Sequence, residues 1–238
     1  FGEFMEQRVA DTFLTYGWTS GKKTYPFFFS TNKKEKNFKK KKNAKGIIMS
    51  ACNFYNIPYQ LRPIPSNYSQ TKKHISNINN LLNSLSKEII ESKIHVNYAN
   101  FDRNPNLRNL ISVQGVKFNN INQSTISRSI NFKLIIETVN STGFLENLFF
   151  NVPFIAIFDK EYCPINTQSQ IDYEPLIKNN IVFYDPRKAA AHINKIYNDI
   201  TYWWENHELQ QSRKNFCDKY VRKPKNKYLS WYKLIKEG

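Results

Sequence analysis

Two short apolar runs, separated by a polar turn and an amphipathic segment, dominate the middle of the chain. The runs occupy 134–136 and 154–158, and their unbroken apolar character is typical of strands that are buried on both faces. Between them, the turn sequence NSTG at 140–143 precedes FLENLFF, whose apolar residues recur at helical spacing. The pattern therefore predicts a βαβ unit of a parallel sheet, with a tight polar loop at the start of its helix.

Strand-like and helix-like segments alternate through the rest of the chain. Strands are predicted at 10–18, 46–52, 94–98, 116–118 and 181–184, and an aromatic loop is predicted at 25–29. Helices are predicted at 68–92, where Ser69 or Thr71 can provide the cap, and at 106–111, 124–130, 173–179, 200–221 and 228–236, with one more from Arg187 onward. This alternation predicts an α/β fold, a doubly wound parallel sheet with extra helices packed behind it at the C-terminus.

The composition indicates a globular protein that works in a reducing compartment. Of the 238 residues, 40% are hydrophobic and 15% are aromatic, which suffices for a substantial core. The three cysteines lack CxxC spacing and the four histidines lack metal-ligand spacing, so neither a disulfide framework nor a zinc site is predicted. No apolar run reaches the about 18 residues of a membrane-spanning helix. The chain begins at Phe1 within a pattern, and we expect it to be one part of a longer protein.

Positive charge is concentrated in one segment. The formal net charge is +16, and much of it lies in the stretch KKEKNFKKKKNAK, which begins at Lys33 and ends at Lys45. A basic run of this kind attracts polyanions. Three interpretations stay open, namely a solvated loop, a segment that binds an anionic membrane surface, and a segment that binds nucleic acid.

The loop NSTG has both a structural and a functional interpretation. Asn, Ser and Thr cap helices, so the loop and the nearby Glu146 resemble a capping box. The loop also follows a buried strand, and open α/β sheets bind phosphorylated ligands at this carboxyl edge, where helices begin. There, Glu146 can accept hydrogen bonds from a ribose diol. Arg62, in the loop after the strand at 46–52, lies at the same predicted edge and can pair with a phosphate.

Three stretches of the chain resemble one protein family. They are ADTFLTYGW at 10–18, ETVNSTGFLENLFFNVPFIAIFD at 137–159 and EPLIKNNIVFYDPRKAAAHINKIYNDITYWWENHELQQSRKNFCDKYVR at 174–222. These stretches are similar to transferases from bacterial O-antigen and surface-polysaccharide gene clusters. That family looks like a branch of the GT-B glycosyltransferases, with distant similarity to CMP-sugar-using enzymes that transfer nonulosonic acids or Kdo. The resemblance implies a Rossmann-like nucleotide-sugar-binding domain at 46–200. Residues 1–45 would be the end of a preceding structural element followed by a basic linker loop, and residues 201–238 would form closing helices.

The resemblance also implies roles for the central loop. The donor phosphate would be held by Asn140, Ser141, Thr142 and Gly143, and the nucleoside would be contacted by Glu146. The donor is expected to be a nucleotide-sugar, with CMP as one candidate nucleotide. Neither a metal nor another cofactor is expected in this architecture, and we interpret Asp102 and Asp159 as lone carboxylates rather than a metal-binding pair.

Two positions depart from the family's pattern. Glu137 stands where a His or Asp is expected at the head of the loop motif. The basic residue expected after the strand at 94–98 has only loose counterparts in His95 and Arg103. The catalytic residue is therefore left unassigned. The family's late helix is matched by four residues that we interpret as core, Trp203, Trp204, Phe216 and Cys217.

The primary hypothesis is a glycosyltransferase of bacterial surface-polysaccharide biosynthesis. It would act at the cytoplasmic face of the inner membrane and transfer a sugar to a glycan or lipid-linked acceptor. A basic nucleic-acid-binding module is an alternative, although the aromatic residues are not interleaved with the lysines. A polysaccharide-cluster scaffold domain that keeps the fold without catalysing transfer is a further alternative.

Overall fold

A parallel β-sheet organises the molecule. The computed structural model describes residues 2–31, 44–51, 67–91, 94–98, 110–120 and 129–237. The strands are β1 (Phe13–Thr15), β2 (Thr24–Pro26), β3 (Ile47–Ser50), β4 (Ile94–Tyr98), β5 (Lys117–Asn120), β6 (Leu134–Glu137), β7 (Phe154–Ile157) and β8 (Val182–Phe183). The last six form one sheet in the order β5-β4-β3-β6-β7-β8, and every neighbouring pair is parallel. The predicted doubly wound parallel sheet is confirmed.

Helices cover both faces of this sheet. They are α1 (Gly2–Val9), α2 (Tyr68–Asn83), α3 (Lys87–Glu91), α4 (Thr142–Phe149), α5 (Gln170–Lys178), α6 (Pro186–Ile196), α7 (Ile200–Trp204), α8 (His207–Tyr220) and α9 (Lys227–Glu237). The helices predicted at 106–111 and 124–130 lie mostly outside the described residues, which there include a single 3₁₀ turn, Ser129–Asn131. In the described part of the chain, no helix combines the length and the apolar character needed to span a bilayer.

Two predicted helices are in fact interrupted. The helix predicted at 68–92 breaks after α2, where Asn194 of α6 accepts a hydrogen bond from the Ser86 N–H (2.9 Å) and donates one to the Ser84 carbonyl (3.0 Å). Its N-cap is Asn67, rather than Ser69 or Thr71. The helix predicted at 200–221 breaks before α8, because the Asn206 side chain accepts from the N–H groups of Glu208 and Leu209 and starts a new helix.

The core consists of two apolar layers, one on each face of the sheet. Ile47, Met49, Leu134 and Ile136 face α2 and α6, whereas Ile48, Ile135, Phe154 and Phe158 face α4, α5 and α8. This alternation follows from the two-residue period of a strand, and it explains why the strand sequences are apolar without interruption. Trp204, Phe216 and Cys217 are buried in the second layer, as predicted, and Trp203 packs against it.

The N-terminal segment is held against the end of α8. Part of the predicted aromatic loop at 25–29 is a strand, since β2 pairs with β1. The Arg222 N–H donates to the Tyr16 carbonyl (2.9 Å) and the Phe29 N–H donates to the Arg222 carbonyl (2.9 Å). Gly17, in the Gly-Trp turn after β1, has φ of +138°, and a Cβ there would lie 2.8 Å from the Lys219 carbonyl oxygen. A glycine is therefore required at this contact.

The family resemblance divides the chain into a linker at 1–45, a nucleotide-sugar-binding domain at 46–200 and closing helices at 201–238. This division stays a prediction.

Candidate functional site

The sheet reverses its winding direction between β3 and β6. The chain leaving β3 leads to α2 on one face, and the chain leaving β6 leads to α4 on the other. Ser50 and Glu137 pair at the carboxyl ends of these strands, and the Thr138 hydroxyl donates to the Ser50 carbonyl (2.8 Å). Divergent connections leave a crevice at this position, which is where open α/β sheets bind ligands.

The predicted loop NSTG lies at this crevice and begins α4. Ser141 is the N-cap in extended backbone conformation, and its hydroxyl accepts from the Gly143 N–H (3.2 Å). Thr142, the first residue of the helix, is exposed. Glu146 lies too late for a capping box, whose carboxylate belongs at the position of Phe144, and it is buried along α4. The N-terminus of α4 therefore reaches solvent at the sheet's carboxyl edge.

Asn140 holds this loop to two neighbouring segments. Its backbone N–H donates to the Cys163 sulfur (3.1 Å), and its side-chain amide donates to the Tyr173 hydroxyl (3.2 Å). Burial raises the pKa of Cys163 to about 11, so the thiol stays protonated at neutral pH. The side-chain amide of Asn140 is therefore used to position the loop.

A buried carboxyl group lies directly beneath the start of α4. Glu137 is 1% exposed, and the Asn147 side-chain amide donates to its Oε1 atom (2.9 Å). Burial raises the pKa of Glu137 to about 8, although hydrogen bonds from Asn147 and Ser50 act in the opposite direction. A Cβ on Gly143 would lie 2.9 Å from Oε1. Glu137 is therefore mostly protonated at neutral pH and is poorly placed to act as a general base.

A second polar cluster lies at the carboxyl end of β7 and was not predicted. Asp159, interpreted from the sequence as a lone carboxylate, pairs with Lys73 (3.1 Å) and accepts from Asn77 (3.1 Å) and from the Glu161 N–H (2.8 Å). Lys73 and Asn77 lie far from Asp159 in the sequence. The only local signal was the spacing of Lys73 and Asn77, which places both on one face of α2. Asp159 therefore has a cationic partner, whereas the interpretation that Asp102 and Asp159 form no metal-binding pair stays a prediction.

A buried histidine adjoins this cluster. His74 Nδ1 lies 2.9 Å from the Tyr162 hydroxyl, and burial lowers the pKa of His74 to about 4. A small cavity is lined by residues of this cluster, His74 and Asn77, and by Thr138 at the switch point. The carboxyl edge thus combines the exposed start of α4 with a neutral histidine and an ion pair.

Among the other candidate residues, only His95 is described. Arg62, Asp102 and Arg103 fall outside the described residues. His95 packs edge-to-face against Phe132, with ring centroids 4.9 Å apart. Among the residues for which positions are described, no group of three or more His, Cys, Asp or Glu side chains is arranged to hold a metal ion.

An open groove of about 810 Å³ lies between α5 and α8. It is lined by residues of these helices and of the turn after α5, such as Ile171, Asn179 and Gln211. None of its lining residues belongs to a loop that follows a strand. We therefore favour the carboxyl edge as the functional site, because its polar groups converge at the switch point.

Two solved structures are similar to this chain, and the similarity to HepE supports the fold. HepE from Anabaena, in complex with UDP and glucose, has a TM-score of 0.52 at 11% identity over 98% of this chain and 64% of its own. MurG from Acinetobacter baumannii has a TM-score of 0.45 at 9% identity over 100% of this chain and 63% of its own. The chain therefore spans less than two thirds of the length of either protein. At this identity, the similarity to HepE concerns the fold alone.

Sequence similarity defines the family. Among curated protein sequences, none is recognisably similar to this chain. A family model described as LIC12162 family transferase matches residues 1–235, which is nearly the whole sequence. The chain belongs to the LIC12162 family of transferases.

Proposed function

We propose that this transferase is a glycosyltransferase and that the phosphate of its nucleotide-sugar donor binds at the N-terminus of α4. The observation that carries the proposal is the position of Thr142, which begins α4 in an exposed place at the switch point. The first N–H groups of a helix and its positive dipole end attract an anion. Ser141 and Thr142 supply hydroxyl donors at the same place.

The proposed chemistry is transfer of a glycosyl group to an acceptor hydroxyl. The bond between the anomeric carbon and the donor phosphate breaks, and the acceptor oxygen forms the new bond as it loses its proton. The leaving phosphate gains negative charge, which the start of α4 stabilises. Glu137, neutral and buried beneath the loop, supports the geometry of the helix start rather than taking this proton.

We assign this chain to the donor-binding domain of a GT-B enzyme. Glu146 and Arg62 are proposed as further contacts to the donor. HepE, which shares the fold, was solved with UDP and glucose, so a uridine nucleotide is one candidate. The resemblance to O-antigen transferases favours a CMP-linked sugar, a surface-polysaccharide product and a place at the cytoplasmic membrane face. The segment from Lys33 to Lys45, of which only Ala44 and Lys45 are described, would face anionic lipid there.

The variant Ser141→Ala/Thr142→Ala tests the proposal through two separate quantities. Loss of the cap is expected to lower the free energy of unfolding by about 0.5–2 kcal/mol. Loss of the phosphate contacts is expected to weaken nucleotide binding by about 1–3 kcal/mol. Thermal unfolding without ligand measures the first, and calorimetric titration with UDP-sugars and CMP-sugars measures the second.

Asn206→Ala provides the matched control. This variant removes the cap of α8, which lies away from the switch point, so it should lower stability by a similar amount and leave nucleotide affinity unchanged. If Ser141→Ala/Thr142→Ala behaves in the same way, with wild-type affinity, the loop is only a helix cap and the proposal fails.

A further inference from the structure

The C-terminal helix α9 exposes a continuous apolar strip. Tyr228, Tyr232 and Ile235 are 89%, 61% and 78% exposed, and their i, i+4, i+7 spacing aligns them along one face of the helix. Isolated exposed apolar residues are ordinary, but three in a row on one helix face form a surface that water solvates poorly. This strip lies outside the carboxyl edge and has no role in the proposed reaction.

One edge of this strip is held to the protein by Trp231, which lies three residues after Tyr228 and four before Ile235. Trp231 packs edge-to-face against Phe27, with ring centroids 4.7 Å apart, and lies near Phe28 at 6.4 Å. Trp231 fixes this edge of α9, and the exposure of the three strip residues shows that they face away from the protein. The strip is therefore a fixed surface of the folded protein.

The charge around the strip identifies its partner. Between 222 and 237 the chain has six basic residues and one acidic residue. Lys225, Lys227, Lys233 and Lys236 are exposed before and along α9. Lysines with long apolar stems, combined with tyrosines and an aliphatic residue, are typical of helices that lie in the plane of a membrane interface. A protein groove would need complementary acidic groups in a specific arrangement, whereas an anionic lipid surface accepts this pattern directly.

We propose that α9 docks the protein on an anionic membrane surface, with Tyr228, Tyr232 and Ile235 inserted at the headgroup level and the lysines contacting lipid phosphates. The helix is about 16 Å long, so it lies along the interface and does not cross the bilayer. This surface would keep the enzyme beside any lipid-linked substrate, independently of how the donor binds.

Vesicle sedimentation tests the proposal. Wild-type protein is expected to bind vesicles of equal parts phosphatidylcholine and phosphatidylglycerol, and to bind vesicles of phosphatidylcholine alone far more weakly. The variant Tyr228→Ser/Tyr232→Ser/Ile235→Ser should lose about tenfold or more in binding to the anionic vesicles. The control Tyr202→Ser, which changes a tyrosine on α7 that is 79% exposed, should bind like the wild type. Circular dichroism and thermal unfolding verify that both variants are folded.

Three other results of these experiments would contradict the proposal. Equal binding to both kinds of vesicle would remove the role of charge, and wild-type binding by the triple variant would place lipid contact elsewhere, for example in the lysine-rich segment. A further outcome would identify a second copy of the chain as the partner. In that case the wild type would not bind vesicles but would self-associate in lipid-free sedimentation velocity, and the triple variant would be monomeric.

Discussion

Replacement of Gly143 by Ala is expected to lower the free energy of unfolding by about 1–3 kcal/mol, as overpacking of a tight site does. The new methyl group would lie 2.9 Å from Oε1 of Glu137, closer than ordinary contacts allow. Alanine normally stabilises a helix by up to about 1 kcal/mol over glycine, so the intrinsic preference acts in the opposite direction. The clash should prevail, because the Glu137 side chain is buried and bonded to Asn147 and has little room to move.

A double-mutant cycle with Glu137→Ala separates these two effects. In that background the carboxyl group is gone, so Gly143→Ala should become neutral or stabilising. Chemical denaturation of the four proteins gives the coupling energy. A Gly143→Ala variant as stable as the wild type, or an equal loss in both backgrounds, would show that the carboxyl group does not limit the space at the start of α4.

The contribution of Glu137 to the free energy of unfolding is expected to fall as pH rises from about 4.5 to about 8. Burial raises the pKa of this carboxyl from 4.5 to about 8, so the folded protein retains a proton that the unfolded chain releases. Each pKa unit corresponds to about 1.4 kcal/mol, so the free energy of unfolding that Glu137 contributes falls by at most about 4–5 kcal/mol over this range. Denaturation at a series of pH values measures it, and Glu137→Gln should remove most of this dependence.

Two histidines impose the opposite dependence at lower pH. Burial lowers the pKa of His74 and of His192 to about 4, so stability should also decline as pH falls from about 6.5 towards 4. Above about pH 7 both rings are neutral, and any remaining decline isolates Glu137. A wild-type protein whose stability is flat between about pH 7 and 8, or a Glu137→Gln variant with an unchanged slope, would contradict the assignment.

The strands and the central helix were predictable because their signals are local. Unbroken apolar runs identified β6 and β7, and the turn residues at 140–143, of which Ser141 is the N-cap, indicated the start of α4. Helix ends were less predictable where tertiary contacts decide them. The side chain of Asn194 satisfies the backbone at the break after α2, and nothing in the sequence between 68 and 92 indicates that contact.

The polar groups of the site were only partly predictable for the same reason. The loop at 140–143 could be recognised from its turn residues, whereas the pairing of Lys73 with Asp159 depends on how α2 packs beside β7. The raised pKa of Glu137 could not be inferred either, because it results from burial beneath α4. The transferase assignment, in contrast, came from the resemblance of the motifs and is confirmed by the family match.

Amide chemical-shift mapping on isotope-labelled protein tests the central claim most directly. Titration with UDP, CMP and their sugar conjugates should shift the amides of Thr142, Gly143 and Phe144 most strongly, because the donor phosphate is proposed to contact the start of α4. Inorganic phosphate should produce the same pattern more weakly. Shifts confined to the groove between α5 and α8, with the amides of 142–144 unchanged at saturating nucleotide, would contradict the account.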